Sequence, residues 1–261
     1  MLTYIINLLF FNEIKNKVVI ILLSEWRVIR GQNMLRSIFC TWSDQDVVPS
    51  MLQGLQRLEA EYGNFEGVGV ATLMDGRIQH QYTEGTGQNL QNLLQKPPIS
   101  GHLGIAYIRP KSAKDEKNGP AVHFYMTERL AVAYHGVIDI DNLSDVRDIL
   151  WALGYEFETR TNGELVLSLI QRYLDVPLSP IDAMKACAAR LQGSFVITAL
   201  FAEPELLLAA GKYCPLLLSV NGNLGYLGSD SNALSHLSSP IMFVAEGNPV
   251  VLGPVTTALV N

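Results

Sequence analysis

Read for the spacing of its apolar and polar positions, the chain changes character at about Met34. Beyond that point, apolar runs of about four to eight residues alternate with longer segments in which apolar residues recur every third or fourth position. "LRSIFCTW" (35–42) predicts a strand. "DVVPSMLQGLQRLEAEYG" (46–63) predicts a helix with Met51, Leu55 and Leu58 on one face and Gly63 as its stop. "GVGVATLM" and "RIQHQYTEG" flank Asp75-Gly76, a pair that accepts the positive φ angles of a tight hairpin turn. "SGHLGIAYIRP" (100–110) and "ERLAVAYHGVID" (128–139) predict further strands. The helix "LSDVRDILWALGYE" follows, ending at Leu153-Gly154, where glycine enters the left-handed region at low cost.

The second half repeats the pattern. Helices are predicted over "NGELVLSLIQRYL" (162–174) and "PIDAMKACAARL" (180–191), then strands over "GSFVITALF", "ELLLAAGK", "PLLLSVN", "NLGYLGSD" and "IMFVAEG". Many of these strands are continuously apolar, as strands covered on both faces are. Two packed sheets with helices outside account for this order, in an α+β fold of mainly antiparallel strands. Residues 34–251 read as one domain and 252–261 as a tail, with "KSAKDEKNG" (111–119) a solvated loop.

Residues 1–33 differ in texture and read as an extension outside the domain. Their apolar runs, Tyr4 to Phe11 and Val18 to Leu23, are broken by Asn12, Glu13, Lys15, Asn16 and Lys17. Neither approaches the ~20 apolar residues of a membrane span, and no basic segment precedes the first run as in a secretion signal. Translation from Met34 is an alternative start.

Composition narrows the function classes. The 261 residues are 48% hydrophobic, with a net charge of −6, so there is no basic stripe for a nucleic acid backbone to meet. Three cysteines, Cys40, Cys187 and Cys214, are an odd number without metal-ligand spacing. They point to a reduced, cytoplasmic protein with neither metal nor cofactor. Cys187 shares a helical period with Ile181, Met184, Ala188 and Leu191, as a core residue does.

Several segments together resemble a known family. They are "GLQRLE" (54–59), "GVGVATLMDGRI", "GIAYIR" (104–109), "YHGVID" (134–139), "LSDVRDILWALGYEFETRTNGELV" (143–166), "AMKACAARLQGSFVI", "LLLAAGKYCPLLLSVN" and "YLGSDSNAL". In this order they are similar to the glutaminase domain of glutamine-fructose-6-phosphate amidotransferase, a class II, N-terminal-nucleophile amidotransferase of amino sugar metabolism. The resemblance implies a four-layer αββα sandwich and hydrolysis of glutamine by an N-terminal cysteine whose own α-amine is the base. It also implies glutamine or a related amino acid as ligand, and a synthase/isomerase subunit or a second copy as partner; the isomerase half is not in this sequence.

The same resemblance exposes departures. The family's spacing puts the nucleophile at Arg36, where no cysteine stands. Cys40 would become N-terminal only after cleavage, which removes the first strand. The family's Arg-Gly-Tyr-Asp-Ser-Ala-Gly falls on "EYGNFEG", which keeps Gly67 but has Glu61 in place of the arginine. By the resemblance Arg109 grips the substrate carboxylate, followed by Pro110 where the family has tryptophan. His135 replaces the asparagine of the oxyanion hole, while Gly136 keeps its backbone N–H. Asn162 replaces the carboxylate that holds the substrate ammonium, and Gly163 and Glu164 follow it.

Magnitudes decide what these changes imply. Loss of a catalytic nucleophile costs on the order of 10⁶ in rate, and of one oxyanion donor roughly 10² to 10³. Asp to Asn162 forfeits a charge-assisted bond of about 1.5 to 3 kcal/mol. The expectation is a binding or regulatory pseudoenzyme; the alternative is residual amidohydrolase activity through Cys40 or a partner's groups. Each retained residue also has a reading that needs no ligand. Arg109 can be a solvent-facing strand end, His135 a hydrogen-bonded loop residue, Gly136 and Gly163 points of backbone freedom, and Glu164 a partner of a helix dipole.

Overall fold

The computed structural model describes residues 37–63, 65–94, 98–110, 124–159, 161–214, 216–234, 239–244, 246 and 249–253. The 1–33 extension, Arg36 and the 111–119 loop lie outside the described residues. In chain order the first elements are β1 (Ser37–Ser43), α1 (Val48–Tyr62), β2 (Phe65–Met74), β3 (Arg77–Glu84), α2 (Gly87–Leu93), β4 (Leu103–Pro110), β5 (Tyr125–Met126) and β6 (Leu130–Ile138). There follow α3 (Ile140–Ala152), α4 (Asn162–Asp175), α5 (Pro180–Arg190), β7 (Gly193–Phe201), β8 (Leu206–Lys212), β9 (Leu217–Asn221) and β10 (Leu224–Gly228). Last come α6 (Ser231–Leu234), β11 (Ile241–Phe243) and β12 (Val250–Leu252).

The strands form two antiparallel sheets. One runs β11-β9-β10-β1-β4-β2-β3 and the other β12-β8-β7-β6-β5. Strand alternation sorts the side chains into three apolar layers. On β1, Ile38, Cys40 and Trp42 enter the layer between the sheets, with Ala131, Ala133, Val196 and Leu200 from the other side. Phe39 turns the opposite way, under α1, with Met51, Leu55 and Leu58. On β7, Phe195, Ile197 and Phe201 meet α3, α4 and α5 instead. The result is the four-layer αββα sandwich expected from the sequence.

Local signals account for the element ends. Asp75 and Gly76 both take positive φ, 51° and 68°, and turn β2 into β3 with Met74 opposite Arg77. Gly154 has φ 90° just past α3. Asp139 caps α3 by accepting from the N–H of Asn142 at 3.0 Å, and Ser179 caps α5 through the N–H of Asp182 at 3.1 Å. β3, an edge strand, is polar and largely exposed, which discourages edge-to-edge pairing.

Four elements were not anticipated. α2 shows almost no apolar period, burying only Gly87 and Leu90, and is nucleated by its Thr86 cap. β5 and α6 are too short for a period to show. β12 pairs with β8, Leu252 opposite Leu207, so pairing continues one residue past the expected boundary at 251. Of the strand expected over 241–247, β11 takes Ile241–Phe243, and the Val244 N–H adds one further bond to the Leu216 carbonyl at 2.8 Å.

Packing between the sheets is tight enough to be tested. Trp42 lies opposite Gly225 on the β1–β10 ladder, and a methyl group at Gly225 would sit 1.9 Å from Trp42 Cε3. Gly225→Ala is expected to destabilise the domain by about 1–3 kcal/mol, as overpacking does. Urea denaturation followed by circular dichroism measures it.

Candidate functional site

Arg109 is the penultimate residue of β4, on the strand face shared with Leu103, Ile105 and Tyr107, and so points into the layer between the sheets. It is 6% exposed, which removes the solvent-facing reading. A buried guanidinium needs a counter-charge. Among the described residues that charge is Glu66, whose Oε2 lies 3.0 Å from Arg109 Nε. The β2–β4 register explains the meeting. Phe65 pairs with Pro110 and Gly67 with Arg109, leaving Glu66 as the extra residue of a bulge, a device that re-aims side chains. Glu66 belongs to "EYGNFEG" and was given no role in the sequence reading. Its signal was a lone carboxylate at the head of an otherwise apolar strand.

His135 lies within β6 rather than in a loop, opposite Val196 on β7, and is buried. It shares its strand face with Ala131 and Ala133, so it also points between the sheets. Gly136 follows with φ 115°, and a Cβ there would lie 2.1 Å from the Ser194 carbonyl oxygen. Both backbone conformation and close strand approach therefore require glycine at this position.

The first turn of α4 carries the remaining residues. Asn162 opens the helix after Thr161. Gly163 does not need unusual backbone angles; it needs space, because a Cβ would fall 1.7 Å from Tyr125 Cε2. Glu164 is engaged locally. Its Oε1 accepts from the Glu158 N–H at 2.6 Å, and its Oε2 from the Thr159 N–H at 2.8 Å and the Thr159 hydroxyl at 2.6 Å. The carboxylate thus ties Glu158 and Thr159 back onto the helix start.

Cys40 sits in the middle of β1, fully buried, opposite Ile105. Arg109 lies four positions further along β4, roughly 13 Å away at ~3.3 Å per residue. Burial pushes the Cys40 thiol upward, slightly offset by a hydrogen bond with Thr198. Burial alone pushes Cys187 up. Cys214 is raised to about 12, first by burial and then by Glu246. All three cysteines are free.

No protein-family model matches the chain. The chain is 34% identical over 212 residues to glutamine–fructose-6-phosphate aminotransferase [isomerizing] of Brucella suis biovar 1, covering 80% of this chain and 34% of that protein. It is 35% identical over 209 residues to the protein of that name from Bartonella henselae, covering 79% and 33%. The chain carries a class II glutamine amidotransferase-like domain. It spans about a third of the length of these relatives. Glutamine phosphoribosylpyrophosphate amidotransferase from B. subtilis shares the fold, with a TM-score of 0.67 at 16% identity over 82% of this chain and 46% of that one. A structure described as the allosteric regulatory enzyme of purine biosynthesis matches with a TM-score of 0.67 at 17% identity, over 82% and 46%. Among the described residues of this amidotransferase-like domain, no helix is long and apolar enough to cross a membrane.

Two outcomes follow from the site's geometry. Glu164→Ala strips three acceptor contacts from the loop before α4 and is expected to cost about 1–3 kcal/mol, read from the urea midpoint. The raised thiols resist alkylation at pH 8 in the folded domain and react once urea unfolds it. Because their folded values lie above the ordinary thiol value of 9.0, the stability gained by keeping them neutral is complete below that pH and declines as pH rises above it. A native-state thiol that reacts at the unfolded rate at pH 8 contradicts this.

Proposed function

We propose that this domain is an amino-acid-binding module on the class II amidotransferase frame that does not hydrolyse glutamine at an enzymatic rate. The observation that carries this reading is the placement of the thiols. All three are buried, all three are pushed away from the reactive thiolate form, and Cys40 stands four ladder positions from Arg109. An activated cysteine needs thiolate character and access. Cleavage before Cys40 would free its amine but would also strip Ser37, Ile38 and Phe39 from the ladder with β4. Phe39 is fully buried under α1, so that route dismantles the layer holding the strand.

The residues assigned to ligand binding by resemblance fit recognition better than turnover. Arg109 supplies a buried cation for a carboxylate, and Gly136 is the glycine that the resemblance places in the family's oxyanion site. Asn162 offers a neutral amide where the family has a carboxylate, which weakens the grip on an α-ammonium group. The ligand class supported is therefore glutamine or a related amino acid held through its carboxylate. A partner subunit or a second copy supplies the context in which binding acts. A cytoplasmic setting is supported by three free, unbridged cysteines.

The test is ammonia release from glutamine by the purified full chain and by Cys40→Ala. Both are expected to remain at the uncatalysed background and to be indistinguishable. Turnover that disappears in Cys40→Ala would establish a working nucleophile and end the proposal.

A further inference from the structure

We propose that Glu66 is a resident carboxylate that occupies Arg109 and closes the site, so that a carboxylate ligand enters only by displacing it. This rests on the amino-acid-binding reading above and adds a gate to it.

The two members of the ion pair are placed unequally. The Arg109 side chain is 8% exposed and that of Glu66 45%. The guanidinium is walled in at the end of β4 and requires an anion. The carboxylate stands half in water and gives up little when its partner is removed. Departure of Glu66 alone would strand a buried cation, whereas exchange of Glu66 for another carboxylate keeps the charge balanced.

The existing contact also leaves room for a better one. Arginine binds carboxylates best through two parallel N–H···O bonds. Although Oε2 is 3.0 Å away, the Arg109 Nε–H is not aligned on it and has no hydrogen-bond acceptor among the described residues. Glu66 reaches the site from a bulge inserted between the Phe65–Pro110 and Gly67–Arg109 pairs, so its approach is fixed by the strand rather than by the guanidinium. An untethered carboxylate can orient itself along the fork. The pair has the character of a self-ligand: adequate for charge, poor in directed bonding, and open to solvent on the side that must leave.

The experiment separates the gate from the ligand. Thermal unfolding of the full chain is followed in increasing sodium propionate, with sodium chloride at equal ionic strength as control. The variants are Glu66→Ala, Glu66→Gln and the double variant Glu66→Ala with Arg109→Met. Glu66→Gln keeps the side-chain shape should Glu66→Ala fold poorly. Propionate is expected to raise the unfolding temperature of the single Glu66 variants beyond the chloride control. Wild type and the double variant should show no such shift. Calorimetry is expected to find L-glutamate or L-glutamine binding the single variants at least about tenfold more tightly than wild type, a difference of about 1.4 kcal/mol. If propionate protects wild type and the Glu66 variants alike, or protects none, the gate is overturned. If propionate protects through Arg109 while neither amino acid binds any variant, the gate stands and the amino-acid reading falls.

Discussion

The central strands of this domain have almost no wet face. β1, β4, β6 and β7 are covered by helices on one side and by the opposing sheet on the other, so nearly all the side chains they carry enter an apolar layer, with Val137 near the end of β6 left exposed. Water does not reach a buried polar group there, so such a group is held at least cost when it finds a partner inside the protein. Thr198 does so by donating its hydroxyl to the Ala133 carbonyl across the β6–β7 pair, at 3.3 Å. The thiols do so by staying protonated. Arg109 balances its charge with Glu66, whose Oε2 lies 3.0 Å from its Nε.

Each of the candidate residues is held in place by the packing or charge balance of the fold. Gly136 is fixed by the Ser194 carbonyl and Gly163 by the Tyr125 ring. Glu164 is fixed by the loop it folds back, and Arg109 by the charge balance of the interlayer. Each has a structural duty that would preserve it without catalysis. Cys40, by contrast, lies buried four ladder positions from Arg109.

Much of the architecture was legible without coordinates because it rests on local physics. The Asp75-Gly76 turn, the glycine after α3 and the continuous apolar runs of β2 and β7 each state their own conformation. What escaped was weak in period: α2, built from "GQNLQNL", and β5, only two residues long. Among the candidate residues, Arg109, His135 and Gly136 are all legible in the sequence, but a loop reading of His135 fails because it lies within β6. Glu66 was missed because its importance depends on a neighbour more than forty positions later and on a bulge that shifts the register.

By itself the sequence determined which faces are apolar, where the chain turns, and that no cysteine stands at the position the family's spacing assigns to the nucleophile. Those properties belong to single residues and near neighbours, whose sterics and burial preference do not depend on the rest of the chain. Tertiary structure alone decided that Cys40 lies four rungs from Arg109, that Gly163 gives way to an aromatic ring, and that Glu66 answers the buried arginine. Distances and ion pairs across strands are fixed only when register and layer packing are fixed, because the energy of a buried charge depends on what the fold places beside it.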